Sequence, residues 1–272
     1  MSYRYALCSE VYKSSIDDTI RRVAELGFDG IEIAPFHVAE SVDEVPIQRR
    51  REIRRVAEDA GVSIIGLHWL LVSPKGLHLT TADASVRERT SRYLVSLARF
   101  SADLGGRRMV LGSPKQRSIG PGEDPKEARA RAAAALRPVA VACGELDIDL
   151  LLEPLNPAET NFLVNVEEAL ALAREIDHPS VGYILDCKAM SGMPLGIVGT
   201  VAAHGKGAGH FHANDPSGKG PGMGDLDFAP ILSALEASGY EGWISSEPFD
   251  YEPDPDTVAR TALRTLREAA GS

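Results

Sequence analysis

Apolar positions along the chain follow two patterns that take turns. Short apolar runs fall at Tyr3–Cys8, Gly30–Ile33, Val62–Leu67, Arg108–Leu111, Ile148–Glu153, Val181–Asp186, Ala208–His212 and Trp243–Glu247. Between them, apolar residues recur at helical spacing. In 15–26 these are Ile16, Ile20, Val23, Ala24 and Leu26; in 165–177, Leu170, Leu172, Ala173 and Ile176; in 256–270, Val258, Ala262, Leu263 and Leu266. The same reading predicts helices over 46–60, 82–104, 125–145, 194–204 and 228–238. Asn165 followed three positions later by Glu168 marks a helix start. Gly27, Gly61, Gly105 and Gly239 sit where a helix must stop before the next strand, and glycine supplies the left-handed backbone for that stop.

Eight strands alternating with eight helices predict an α/β fold, a single (β/α)8 TIM barrel spanning 1–272 as one domain; such barrels take about 250 residues. Runs such as Ile148-Asp-Leu-Leu-Leu152 suit parallel strands covered on both faces. A doubly wound open sheet is the competing arrangement. No linker or low-complexity segment divides the chain.

Composition narrows the function. With 44% hydrophobic residues over 272 positions the chain can bury a large core, which excludes a disordered segment or a disulfide-stapled miniature. Lys and Arg number 29 against 39 Asp and Glu, a net charge of −10 that disfavours nucleic acid and anionic membranes as partners. No apolar run approaches the roughly 20 residues of a membrane span. Met1-Ser-Tyr-Arg-Tyr5 lacks the apolar stretch of a secretory leader. Cys8, Cys143 and Cys187 cannot all pair and match no zinc spacing, so reduced thiols and a cytoplasmic location are expected. The basic run Arg49–Arg55, interrupted by Glu52, reads as a solvated helix face.

Barrel chemistry sits at the C-terminal ends of the strands. There the fifth strand ends on Glu153, the sixth on Asp186, the seventh on His212 and the eighth on Glu247, at intervals of 33, 26 and 35 residues. One such carboxylate is ordinarily a helix cap. Four successive ligand-type ends converge on one axial point, and three carboxylates packed together raise one another's pKa unless a cation lies between them. This O/N donor set suits one divalent ion, Mn2+ before Mg2+ or Co2+, with Zn2+ also compatible. His210 and His212 are two apart and face the same side. His212, nearer the strand end, is the expected ligand, with His210 one layer deeper.

Glu153-Pro-Leu-Asn-Pro-Ala-Glu-Thr160 resembles the Glu-x-Leu-Asn-Arg-x-Glu-Thr signature of the D-tagatose 3-epimerase/D-psicose 3-epimerase family of xylose isomerase-like TIM barrels. The resemblance extends to Gly27-Phe-Asp-Gly-Ile-Glu32, Gly66-Leu-His-Trp69 and Gly222-Met-Gly-Asp-Leu-Asp-Phe228. It implies a metal-dependent sugar or sugar-phosphate isomerase or epimerase. Glu153, Asp186, His212 and Glu247 would hold the metal. Glu153 and Glu247 would act as an acid/base pair in 3-epimerisation of a ketose through a metal-stabilised cis-enediolate. Glu159 would contact a substrate hydroxyl or support Glu153. The chain departs from the family pattern at Pro157, at Ala189 where the family has His, and at Gly218 where it has Arg. Lys188 is then a candidate contact to a substrate oxygen.

Further expectations concern the barrel mouth. Lys115 and Arg117, in the loop Gly112-Ser-Pro-Lys-Gln-Arg117, are candidates to hold a phosphate or carboxylate. Trp69 would wall the sugar's carbon face, His68 would meet a hydroxyl, and Asp215 would complete the substrate contacts. Glu32 would hydrogen-bond His68 or the substrate. The glycine-rich 218–224 segment would form a flexible lid. A lyase or deglycosidase acting on a keto-sugar derivative by proton abstraction and β-elimination is the alternative function, with an endonuclease IV-like nuclease further off. The expected partner is a small sugar or sugar phosphate, with no nucleic acid or membrane, and the chain would form a homodimer or homotetramer.

Overall fold

The computed structural model describes residues 3–271. Strands β1 (Arg4–Cys8), β2 (Gly30–Ile33), β3 (Ser63–Leu67), β4 (Arg108–Leu111), β5 (Asp149–Leu152), β6 (Val181–Asp186), β7 (His210–Ala213) and β8 (Trp243–Ser246) pair in sequence order. All ladders are parallel, and β8 returns to β1 to close the barrel. The open-sheet alternative is thereby excluded.

The outer helices occupy the predicted segments: α1 (Ile16–Glu25), α2 (Ile47–Ala60), α3 (Ala84–Leu104), α4 (Pro125–Glu145), α5 (Val166–Ile176), then α7 (Gly196–His204), α8 (Ala229–Ser238) and α9 (Pro255–Ala269). Local chemistry starts and stops them. Side chains of Ser15, Asp83, Asp124, Asn165 and Asp254 accept a backbone N–H in the first turn of their helices. Gly61, Gly105 and Gly239 take the left-handed conformation at the C-caps of α2, α3 and α8. Among the described residues, four short 3-10 turns and one further helical turn lie outside the predicted pattern. The single turn α6 (Cys187–Met190) starts directly on β6, with Asp186 as its cap.

Most apolar burial lies between the strands and the outer helices, with Leu7, Ile20, Ile31, Ile53, Leu67, Phe100 and Phe211 fully enclosed. The bore of the barrel is filled separately by Ala6, Ile65 and Trp243 on one side and Val110, Leu151 and Ile184 on the other. Strand alternation then dictates what lies above this plug. Residues two positions on from Leu151 and Ile184 point the same way, and they are Glu153 and Asp186. The basic run on α2 is an outer face, as expected: Arg49 pairs with Asp17, Arg50 with Asp103 and Arg54 with Glu58.

Gly66 of β3 pairs with Arg108 of β4. A Cβ there would lie 2.2 Å from the Arg108 carbonyl oxygen, a backbone atom that cannot swing aside. Gly66→Ala is therefore expected to cost about 3 kcal/mol, at the upper end for overpacking, measured as a lowered urea midpoint with unchanged slope.

Candidate metal centre

Glu153 and Glu247 are the first residues beyond β5 and β8, Asp186 is the last of β6, and His212 lies within β7. The barrel brings one ligand atom from each of the four to within 4.8 Å of the others, and all four residues are buried. His212 is fully enclosed and organises the group. Its Nδ1 lies 3.2 Å from Glu153 Oε1 and 3.0 Å from Glu247 Oε2, while Nε2 lies 3.2 Å from Glu32 Oε2. A cation held by Glu153 and Glu247 would therefore take Nδ1, leaving Nε2–H to Glu32. Fixing the ligand ring through its other nitrogen is a recurring device in metal sites.

The neighbours of this ring leave little freedom. Asp186 Oδ1 accepts the Ala189 N–H at 2.6 Å, so the residue caps α6 as well as facing the site. Asn214 Nδ2 donates to Asp186 Oδ2 at 2.7 Å and lies 3.4 Å from Glu247 Oε2. Glu153 turns over β4 at Gly112, where a Cβ would fall 1.5 Å from Glu153 Oε2. Only glycine leaves that carboxylate its place.

The electrostatics fit a cation. Burial, reinforced by Glu153 and Glu247, pushes the Asp186 carboxyl up to about 8. Burial likewise raises Glu153 against the opposing pull of His212. Burial works on Glu247 in the same direction, but His212 and His68 outweigh it and hold that carboxylate down at about 2. His212 is disfavoured as a cation by burial, yet Glu247, Glu32 and Glu153 raise it well above its ordinary value. The oxygen-rich, one-imidazole donor set suits a hard or borderline divalent ion.

Above the ring opens a pocket lined by Trp69, Gly112, Pro114, Leu155, Glu159, Lys188 and Phe249 together with Glu153, Asp186 and Glu247. Trp69 and Phe249 meet edge to face at 6.2 Å. Lys188 Nζ pairs with Glu159 Oε1 at 2.5 Å and lies 5.3 Å from the Phe249 ring centre. Asn156 forms the turn that returns Glu159 over the mouth, its Oδ1 accepting the Ala158 N–H at 3.0 Å.

Other predicted site residues lie elsewhere. Arg117 is fully buried, Nη1 donating to the Leu111 carbonyl at 3.0 Å, and burial pushes its pKa down to about 10. Lys115 is exposed and does not line the pocket, so the two bases do not assemble an anion site at the mouth. His68 is enclosed, each ring nitrogen facing a carboxylate. Asp215 spends its oxygens on its own loop, Oδ1 accepting from Ser217 N and Oγ and Oδ2 from Leu226 N. The 218–224 segment is not a loose lid: the Gly218 carbonyl accepts the N–H groups of Phe249 and Asp250, so it braces the loop after β8. Glu32 bonds His210, at 2.8 Å, and His212 rather than His68. The sequence pattern does not point to Glu10, Asn214, Leu155 or Phe249. Phe249 and Leu155 lie two residues beyond Glu247 and Glu153, on the same loops, which was the available signal.

Two outcomes follow. Gly112→Ala should leave the fold intact, because the displaced atom ends a flexible side chain, yet weaken Mn2+ binding about tenfold or more by isothermal titration. Mn2+ affinity should also rise with pH, because Asp186, raised to about 8, and His212, raised well above its ordinary value, both give up protons to hold the ion. Proton release counted in buffers of different ionisation enthalpy checks the sign.

The chain matches the Xylose isomerase-like TIM barrel family model over residues 20–269. It is similar to a probable ketose 3-epimerase of Synechocystis sp., 27% identical, with 89% of this chain and 86% of that protein covered. An L-ribulose 3-epimerase of Mesorhizobium japonicum is 28% identical, with 92% and 82% covered. In fold it resembles the structure of D-psicose 3-epimerase with D-tagatose from Clostridium cellulolyticum, TM-score 0.86 at 22% identity, covering 98% of this chain and 99% of that one. Barrel order and the family match agree: the chain belongs to the xylose isomerase-like TIM barrels.

Proposed function

We propose that this protein is a divalent-metal-dependent ketose 3-epimerase acting on unphosphorylated sugars. The observation that carries the reading is the pair Glu153 and Glu247, which meet the same His212 nitrogen at 3.2 and 3.0 Å from strands β5 and β8. Those strands are three apart around an eight-stranded barrel, so the two carboxylates enter the floor of the pocket from different sides. Epimerisation needs that arrangement. One carboxylate removes the proton from the carbon beside the carbonyl, and the other delivers a proton to the opposite face. The relatives' names, ketose 3-epimerases, support the same reaction class.

Glu153, Asp186, His212 and Glu247 would hold the metal, which supplies Lewis-acid polarisation of the substrate oxygens, typically several kcal/mol. Trp69, Leu155 and Phe249 present apolar surface to the carbon skeleton and keep water from the acidified carbon. Lys188 and Glu159 offer a donor and an acceptor to hydroxyl groups, Lys188 one residue before the position where the family pattern has His. Among the described residues, Lys188 is the one basic side chain lining the pocket, and it is paired with Glu159. A phosphate there would meet Lys188 only by breaking its pair with Glu159 and would face that carboxylate, so a neutral ketose fits better than its phosphate.

Incubation of the Mn2+-loaded protein with D-fructose, D-psicose, D-tagatose and L-ribulose in heavy water, followed by NMR, should show deuterium at C3 and the 3-epimer. The 6-phosphates of the hexuloses should be turned over with kcat/KM lower by about tenfold or more, the effect of juxtaposed like charge. Glu153→Gln and Glu247→Gln should each lower kcat by about 10²–10⁴ while the fold persists. Full activity in both variants would rule out the two-carboxylate mechanism.

A further inference from the structure

Glu10 stands outside the metal-facing group. It lies on the single turn Ser9–Val11 that follows β1. Two constraints hold that turn. Ser9 Oγ accepts the Ala34 N–H at 3.0 Å, tying it to the end of β2, and β1 pairs with β8 up to Leu7 against Ser246. Barrel closure therefore sets Glu10 close to Glu247.

His68 lies between them. Its Nε2 is 2.9 Å from Glu10 Oε2 and its Nδ1 is 3.3 Å from Glu247 Oε1. The residue is held independently of both carboxylates. Its backbone N–H donates to the Ile33 carbonyl at 3.2 Å, and the next residue, Trp69, takes a left-handed φ of 54° that turns the chain away after β3. Neither Glu10 nor His68 lines the pocket.

The two pocket carboxylates are thus held unequally. Glu153 is tied through Oε1 to His212, with Oε2 lying over Gly112. Glu247 is tied at both oxygens, Oε2 to His212 and Oε1 to His68. A carboxylate that takes a proton from carbon must present one lone pair within a narrow cone, and misplacement by about 1 Å can cost on the order of a hundredfold in rate.

We infer that Glu10 and His68 form a positioning pair for Glu247: Glu10 orients the His68 ring, and His68 Nδ1 holds Glu247 Oε1 so that this carboxylate stays aimed into the pocket. The inference rests on the reading of Glu247 as half of the acid/base pair.

The test compares Glu10→Ala, Glu10→Gln, His68→Leu and His68→Asn with the parent, all Mn2+-loaded and assayed on D-psicose. Glu10→Ala and His68→Leu should lose about 10- to 100-fold in kcat, the usual range for groups that orient a metal-site residue. KM should stay within about twofold, since neither side chain lines the pocket. His68→Asn, whose amide can occupy the place of Nδ1, should recover part of the loss, and Glu10→Gln, which keeps an acceptor, should lie nearer the parent than Glu10→Ala. One readout is independent of turnover: a crystal structure of Glu10→Ala should show Glu247 Oε1 released from His68. Parent-like kcat in both Glu10→Ala and His68→Leu would overturn the inference. So would two Mn2+ per chain with one lost in Glu10→Ala, because Cys8, Glu10, His68 and Glu247 would then be a second metal cradle. If Glu10→Ala does not fold, the near-isosteric Glu10→Gln and His68→Asn carry the comparison. Full activity in Glu247→Gln would instead refute the underlying reading of Glu247.

Discussion

Three buried glutamates converge on one imidazole. His212 faces Glu153 and Glu247 through Nδ1 and Glu32 through Nε2, and Asn214 ties Asp186 to the same group. Carboxylates this close repel, and removing them from water costs several kcal/mol each unless they are paired and hydrogen-bonded. Much of the surrounding structure answers that requirement. Ala189 N–H meets Asp186, His68 meets Glu247, His210 meets Glu32, and the absent side chain of Gly112 makes room for Glu153. The barrel is the scaffold that lets strands distant in sequence supply these partners at one level.

The centre divides into tiers along the barrel axis. An apolar plug of Ala6, Ile65, Trp243, Val110, Leu151 and Ile184 fills the bore. His210 and Glu32 form a polar layer over it, and the four-residue ring lies toward the mouth. Strand alternation generates these tiers, because each ligand stands two residues beyond a deeper side chain. The tiers also separate duties. In the proposed function, reactivity belongs to residues fixed on or just beyond strands, while discrimination among sugars would fall to Trp69, Leu155, Glu159, Lys188 and Phe249, which line the pocket above. The loops around that pocket are not slack. Asp215 closes its own loop, and the Gly218 carbonyl anchors the backbone that carries Phe249.

The departures from the family's sequence pattern fall in this upper tier. Ala189 donates its backbone N–H to Asp186, a role that needs no particular side chain. Lys188, one residue earlier, reaches Glu159 across the mouth instead. The lower tier keeps Glu153, Asp186, His212 and Glu247 together, the set that the family resemblance implies for a metal.

Periodicity sufficed for the fold. Apolar runs separated by amphipathic stretches and glycine stops are local signals, and a closed barrel follows once eight of them alternate. The four ring residues were also readable, because a strand end is a position along the chain, and four polar ends at βα spacing must meet near the barrel axis. The partners of those residues were not readable. Glu10 and His68 meet Glu247 only because β1 closes on β8, and Glu32 reaches His210 and His212 across the bore rather than the expected His68. Arg117 and Asp215 resemble mouth residues in one dimension, yet one is drawn under the β4 loop and the other is consumed by its own turn. Spacing along the chain specifies which level of the barrel a side chain occupies. The neighbour it bonds at that level depends on contacts between strands and loops far apart in sequence, and those are set by the closure of the whole sheet.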